Sequence, residues 1–286
     1  MRNAFRAGLA LLLALLCAAP AAAGVPAAGH PVYQFAPVNQ YNLKVSASFW
    51  NPIVQYVSQK SGVRLKLKLG RTSADTTSFI LNQQVDFAYT NHLFSPERAK
   101  LGWTVFGRLD RAPVHAQIVV PADSPVRSLS DLAGSTVAFS GPEAMLGYKI
   151  PYAELLRQNL NVNVTFAGNM DAAFTQLFSG RAKAAGAHSQ LTEFYGAREN
   201  KAFRVLWTSS PFNDLPLMAS QRVPREHVQA VAAAFLNMSR DPHGRKVLDS
   251  ALALVRAREP LSFIAATDAD YDAYRRFYHA APANLR

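Results

Sequence analysis

The chain has 286 residues, of which 49% are hydrophobic and 17% charged, so it can bury enough apolar surface to offset the entropy of ordering a fold. That excludes a disordered chain or a disulfide- or metal-stapled miniprotein, and the length suggests two domains or lobes. The formal charge is +11, or +9 (28 basic against 19 acidic residues) once Arg2 and Arg6 of the leader are set aside, a balance that favours anionic ligands or surfaces.

Residues 1–23 combine a basic start, an apolar run from Leu9 to Leu16 and Ala21-Ala22-Ala23 as a cleavage signal, which reads as a secretory signal peptide. Leu16 stands where a lipoprotein signal prefers a small residue, so lipid anchoring at Cys17, the only cysteine, is not expected. No later apolar stretch is long enough for a membrane span. Residues 24–31 (GVPAAGHP) read as a flexible lead-in. Strands and helices then alternate: a strand over Val32–Pro37, a helix over Ala47–Ser61 closed by Gly62, a strand over Val63–Leu69, a helix over Thr72–Gln83 and a strand over Val85–Tyr89. This β-α-β-α-β order predicts a mostly parallel sheet covered by helices. A second series follows, with strands at His115–Pro121, Thr136–Phe139, Asn163–Phe166 and Ala184–Ala187. Between them come helices at Ser130–Ala133, Leu146–Gln158 and Asp171–Ser179. Arg225–Met238 and Pro242–Ala253 predict two helices packing back on the first lobe. Two sheet-based lobes without a long linker imply an interlobe cleft, where small ligands bind in such folds.

Enzyme signatures are absent: there is no G-x-S-x-G, G-x-G-x-x-G, phosphate loop, H-E-x-x-H or C-x-x-C. The seven histidines never fall at the i, i+4 spacing of a helical metal pair. Ser189 beside His188 is the only adjacent nucleophile–base pair, and it is poor catalytic geometry because strand neighbours point to opposite faces. Asp86, Asp123, Asp131 and Asp171 sit where capping accounts for an acid. Neither enzyme activity nor nucleic-acid binding is expected, the basic residues being dispersed.

A series of segments in fixed order is informative: Phe49-Trp50-Asn51-Pro52 with Tyr56 and Ser61-Gly62; Asn82-Gln83-Gln84-Val85-Asp86-Phe87-Ala88; Asp123-Ser124-Pro125-Val126-Arg127-Ser128-Leu129-Ser130-Asp131-Leu132-Ala133-Gly134 with Val137-Ala138-Phe139; Pro142, Gly147, Tyr148 and Pro151; and Asp268-Ala269-Asp270-Tyr271-Asp272. In order and spacing these resemble the periplasmic solute-binding proteins of phosphate, phosphite and phosphonate ABC importers. The resemblance implies an α/β type II periplasmic-binding-protein fold, two α/β lobes joined by two hinge crossovers that close on a ligand. Its expected divisions are 32–112 for the first part of lobe 1, 113–210 for lobe 2 and 211–286 for the return to lobe 1. The crossovers are placed near Ala112–His115 and Ser209–Asn213. It further implies a monomer that delivers a small-molecule or oxyanion ligand to an inner-membrane permease, with no cofactor; a ligand-sensing partner of a membrane receptor is the alternative use of the same closure.

The family's S-T-S loop, whose hydroxyls grip oxyanion oxygens beside helix N–H groups, is replaced here by Ala144, Met145 and Leu146, and its ligand-contacting histidine by Met170. Three readings follow. In the first, Met145, Leu146 and Met170 are apolar walls for a larger or less charged organic ligand, with Tyr41, Thr90, Asn91, His115 and Asn169 as polar anchors. In the second, Met145, Met170, His115 and His188 bind copper or a metal complex through thioether and imidazole donors. In the third, an oxyanion is held by backbone N–H groups alone. The residues expected to line the cleft are Tyr41, Thr90, Asn91, His115, Met145, Leu146, Asn169, Met170 and His188.

Overall fold

Two mixed sheets organise the chain in a computed structural model, which describes residues 31–256 and 259–286. The expected leader and nearly all of the lead-in lie outside the described residues. The first run of elements is β1 (Tyr33–Pro37), α1 (Leu43–Ser61), β2 (Leu65–Leu67), α2 (Ser73–Leu81), β3 (Phe87–Tyr89), α3 (Pro96–Ala99) and β4 (Thr104–Leu109). The second is β5 (Ala116–Pro121), β6 (Thr136–Phe139), α4 (Ile150–Arg157), β7 (Asn163–Phe166), α5 (Met170–Phe178), β8 (Ala184–His188), α6 (Ser189–Glu199) and β9 (Phe203–Thr208). The chain then returns through β10 (Pro216–Ala219), α7 (Arg225–Leu236), α8 (Pro242–Val255), β11 (Phe263–Ile264) and α9 (Asp272–Ala280).

The first sheet has the order β11-β4-β10-β3-β1-β2 and the second β7-β6-β8-β5-β9. The expectation of mostly parallel sheets holds only in part. β1 is parallel to β2 and β3, and β6 to β7 and β8, as short β-α-β connections require. β10 is antiparallel to β3 and β4, and β5 to β8 and β9, because these strands enter their sheets directly from the crossover segments. The two crossovers pair with each other: Val114 and Phe212 exchange N–H···O bonds of 2.8 Å in each direction.

Local chemistry sets the helix starts that matter for the cleft. Thr72 and Asp75 form a reciprocal capping box at the start of α2. Asn169 Oδ1 accepts the Ala172 N–H at the start of α5. Asn42 does the same for Val45, which starts α1 ahead of the apolar face that the sequence signals, and Gly62 ends it at φ 70°. α1 buries Phe49, Trp50, Ile53, Val54 and Val57, and α7 and α8 pack against it. The C-terminal segment buries Tyr271, Tyr274 and Tyr278 against Phe94 and Phe212.

Candidate functional site

A cavity of about 50 Å³ lies between the sheets at the carboxyl ends of strands of both. From the first sheet's side it is lined by Val38, Asn39, Gln40, Ser73, Asn91 and His92, and Leu215 joins them from the returning chain. The second sheet's side supplies Ser140, the turn Ala144–Gly147, Met170, His188 and Leu191.

The Ala144–Gly147 stretch leads into α4 through a π-helical turn, Met145–Lys149. Lys149 N–H bonds back to Ala144 O at 2.9 Å, so the N–H groups of Met145 to Tyr148 precede the first intrahelical bond and have no partner within the helix. These donors sit at the positive end of the helix dipole and favour an anion. Gly147 is required there: a Cβ would lie 2.5 Å from Ser140 Oγ and 2.7 Å from Met170 Cε. Two hydroxyls stand by the same turn. Ser140 follows β6 and is 5% exposed; Ser73, the first residue of α2, is 3% exposed and its Oγ has no hydrogen-bond partner. A buried unpaired hydroxyl costs about 1–3 kcal/mol, a cost that a ligand oxygen would remove. Asn39 is occupied, donating to Gly70 O at 2.8 Å and accepting from Thr76 Oγ1 at 2.6 Å.

Two histidines complete the polar lining. His92 is fully buried, which pushes its pKa down to about 3; its Nδ1 lies 2.6 Å from Thr77 Oγ1, which in turn donates to Ser73 O at 2.9 Å. His188, at the end of β8, lies 3.2 Å through Nε2 from Asp214 Oδ1, and its Nδ1 is buried without a partner. Burial works to raise the Asp214 carboxyl, but the His188 contact and the Leu215 N–H outweigh it and hold the group below the ordinary carboxylate range.

The sheets are clasped on both sides of the cavity. On one side Glu143 Oε2 meets Arg98 Nη1 at 2.6 Å and Lys149 Nζ at 3.7 Å, and Lys149 Nζ reaches Tyr278 Oη at 3.5 Å. Burial works to raise the Glu143 carboxyl, yet Arg98, His92 and Lys149 hold it below its usual value, while burial lowers Lys149. On the other side Ser73 N–H donates to Gly168 O at 3.0 Å, and Asn42 donates to Asp171, itself held by Arg198 at 2.7 Å.

Of the residues singled out in the sequence, Asn91, Met145, Leu146, Met170 and His188 line the cavity. Four lie elsewhere. Thr90 is fully buried, its Oγ1 accepting the His92 N–H. Tyr41 lies in a separate small pocket with Phe49, Trp50 and Arg111. Asn169 is spent as the α5 cap. His115 sits on the crossover, its Nδ1 2.8 Å from Ser209 O. That removes His115 from the four-donor copper set, and no group of three or more His, Cys, Asp or Glu suited to a metal occurs among the described residues. Ser189 Oγ accepts the His115 N–H and starts α6, so it does not address His188 as a base. Ser73, His92, Ser140 and the Arg98–Glu143–Lys149 clasp were not singled out in the sequence.

Residues 35–271 match the family described as ABC transporter, phosphonate, periplasmic substrate-binding protein. The fold is similar to a binding protein component of an ABC phosphonate transporter from Pseudomonas aeruginosa, with a TM-score of 0.72 and 17% identity over 89% of this chain and 90% of that one. It is also similar to PhnD1 of Prochlorococcus marinus in complex with methylphosphonate, with a TM-score of 0.73 and 16% identity over 87% and 97% of the two chains. XAC2383 of Xanthomonas citri bound to chloride ion gives a TM-score of 0.67 at 15% identity over 89% and 97%. No curated protein matches the sequence.

Proposed function

The chain belongs to the periplasmic substrate-binding proteins of phosphonate ABC transporters, and from that premise we propose that its cavity holds a small tetrahedral oxyanion of the phosphonate class. The family role is delivery of ligand to an ABC importer; a sensory or metal-binding role has no support in the family or in the cavity's donors. One observation carries the ligand reading. The partnerless Ser73 hydroxyl and the start of the helix at Met145 meet at one cavity, with the Ser140 hydroxyl beside them. These supply neutral donors for the oxygens, in place of the hydroxyls missing at 144–146. Met145, Leu146 and Met170 form an apolar surface suited to the substituent on phosphorus. About 50 Å³ suits a ligand of a few heavy atoms better than a large metabolite.

In this reading the exported protein is a monomer in the periplasm, closes over its ligand, docks on a permease and catalyses nothing. Cleft closure brings Arg98 to Glu143, and Asn42 to Asp171, so the contacts on both sides of the cavity hold the closed form that the permease receives. Thermal-shift titration with methylphosphonate, phosphite and phosphate tests the ligand. At about 100 times the dissociation constant a true ligand adds roughly 2.7 kcal/mol, which raises the midpoint by several degrees. An unmoved midpoint with all three overturns the reading.

A further inference from the structure

We propose that the buried imidazole of His188 acts as a hydrogen-bond acceptor, so that the site selects an oxyanion that still carries one proton over a fully deprotonated anion of the same shape. The inference rests on the oxyanion reading above and assigns His188 as a specificity-determining residue.

The tautomer of this ring follows from what surrounds it. At His188 the partner is the Asp214 carboxylate, which is 4% exposed and also accepts the Leu215 N–H at 2.8 Å. An ionised carboxylate only accepts, so a ring carrying one proton bears it on Nε2. Nδ1 is then a lone pair, buried and without a partner in a residue 5% exposed on the cavity wall. The cavity also carries donors on both walls: the Ser73 hydroxyl on the first sheet's side, and the Ser140 hydroxyl and the N–H groups at the start of the Met145 turn on the second. A tetrahedral anion that turns one O–H to His188 Nδ1 and its bare oxygens to these donors satisfies both. A fully deprotonated anion would set an oxygen lone pair against an imidazole lone pair and leave a buried acceptor unpaired.

Methylphosphonate and methanesulfonate separate these cases, since the monoanions have the same shape and charge and differ by one O–H. Calorimetric titration of the wild-type protein at about pH 7, above the ordinary imidazole pKa of about 6.5, is expected to give methylphosphonate at least a ~100-fold tighter dissociation constant. His188→Leu removes this acceptor and should reduce that ratio to within about tenfold. Asp214→Asn can donate to Nε2 and move the ring proton to Nδ1, so it should strengthen methanesulfonate binding by roughly tenfold, a change that mere loss of packing would not produce. Wild-type binding of both anions within about threefold, or an unchanged ratio in His188→Leu, overturns the inference alone. Failure of the wild-type protein to bind either anion overturns the oxyanion reading and this inference with it.

Discussion

Two acid–base groupings bridge the sheets, and they are built to opposite specifications. At one side of the cavity Glu143 is shared by Arg98 and Lys149, with side chains 6–23% exposed and cations in excess. On the wall formed by the end of β8, Asp214 meets only a histidine, and both side chains are 4–6% exposed. The first grouping has charge to spare, and its Arg98–Glu143 contact exists only when the sheets are together, so it serves closure. The second has no spare charge but a fixed pattern of donors and acceptors, so it serves selection. Burial accounts for the division: a partly wet cluster can exchange partners with water at little cost, whereas a sealed pair holds its tautomer.

The strongest way to break this division leaves both groupings intact. Gly147→Val places a side chain where Ser140 Oγ and Met170 Cε already stand, at 2.5 and 2.7 Å from a Cβ. Oxyanion affinity should fall at least ~100-fold, by calorimetry, through loss of the close approach to the helix start. A variant that still binds would place the ligand elsewhere.

Acidification separates the buried neutral His92, between the two groupings, from the carboxylates of both. His92 has a folded pKa of about 3 against 6.5 for the ordinary group, so the unfolded chain takes up its proton first. Its contribution is fully present above about pH 6.5 and lost as pH falls toward 3, at up to about 1.4 kcal/mol per pH unit. Glu143 and Asp214 are also depressed, from 4.5 and 3.8, so their contributions persist above those values and are lost only at lower pH. Melting midpoints should therefore begin to fall near pH 6 in the wild type. In His92→Gln the fall should begin about two units lower; identical profiles would contradict the burial of a neutral His92.

Glu143→Gln removes the anion between the half-buried Arg98 and the buried Lys149. We expect about a tenfold weaker ligand, carried mainly by faster dissociation in stopped-flow traces, and a loss of roughly 1–2 kcal/mol of stability. A slower association with unchanged dissociation would assign Glu143 to encounter instead of closure. The smallest effect belongs to Ser73→Ala. Ligand affinity should drop about fivefold, near 1 kcal/mol, while the free protein keeps or slightly raises its melting midpoint because an unpaired buried hydroxyl is gone. A lowered midpoint with unchanged affinity would make Ser73 structural.

The strands with clear apolar alternation and the capped helices were legible: Thr136–Phe139 and Asn163–Phe166 coincide with β6 and β7, and Gly62 closes α1 as its position suggests. β4 escaped because Gly107 and Arg108 interrupt its pattern, and β10 because Pro216 opens a run of only four residues whose burial comes wholly from neighbouring strands. In the site, Met145, Leu146 and Met170 were legible from the family's order of segments. Ser140, directly after β6, and Ser73, directly after the Thr72 cap, carried signals that the missing hydroxyls at 144–146 overshadowed. The Arg98–Glu143 pair and the His188–Asp214 pair join residues 45 and 26 positions apart. No local pattern marks such contacts, since only the crossing of the two sheets creates them.

The central claim is that the cavity binds a small phosphonate-class oxyanion, and calorimetric titration of the purified exported protein with methylphosphonate tests it most directly. The account predicts saturable one-to-one binding that Gly147→Val abolishes. Absence of binding, or binding that Gly147→Val leaves unchanged, would contradict it.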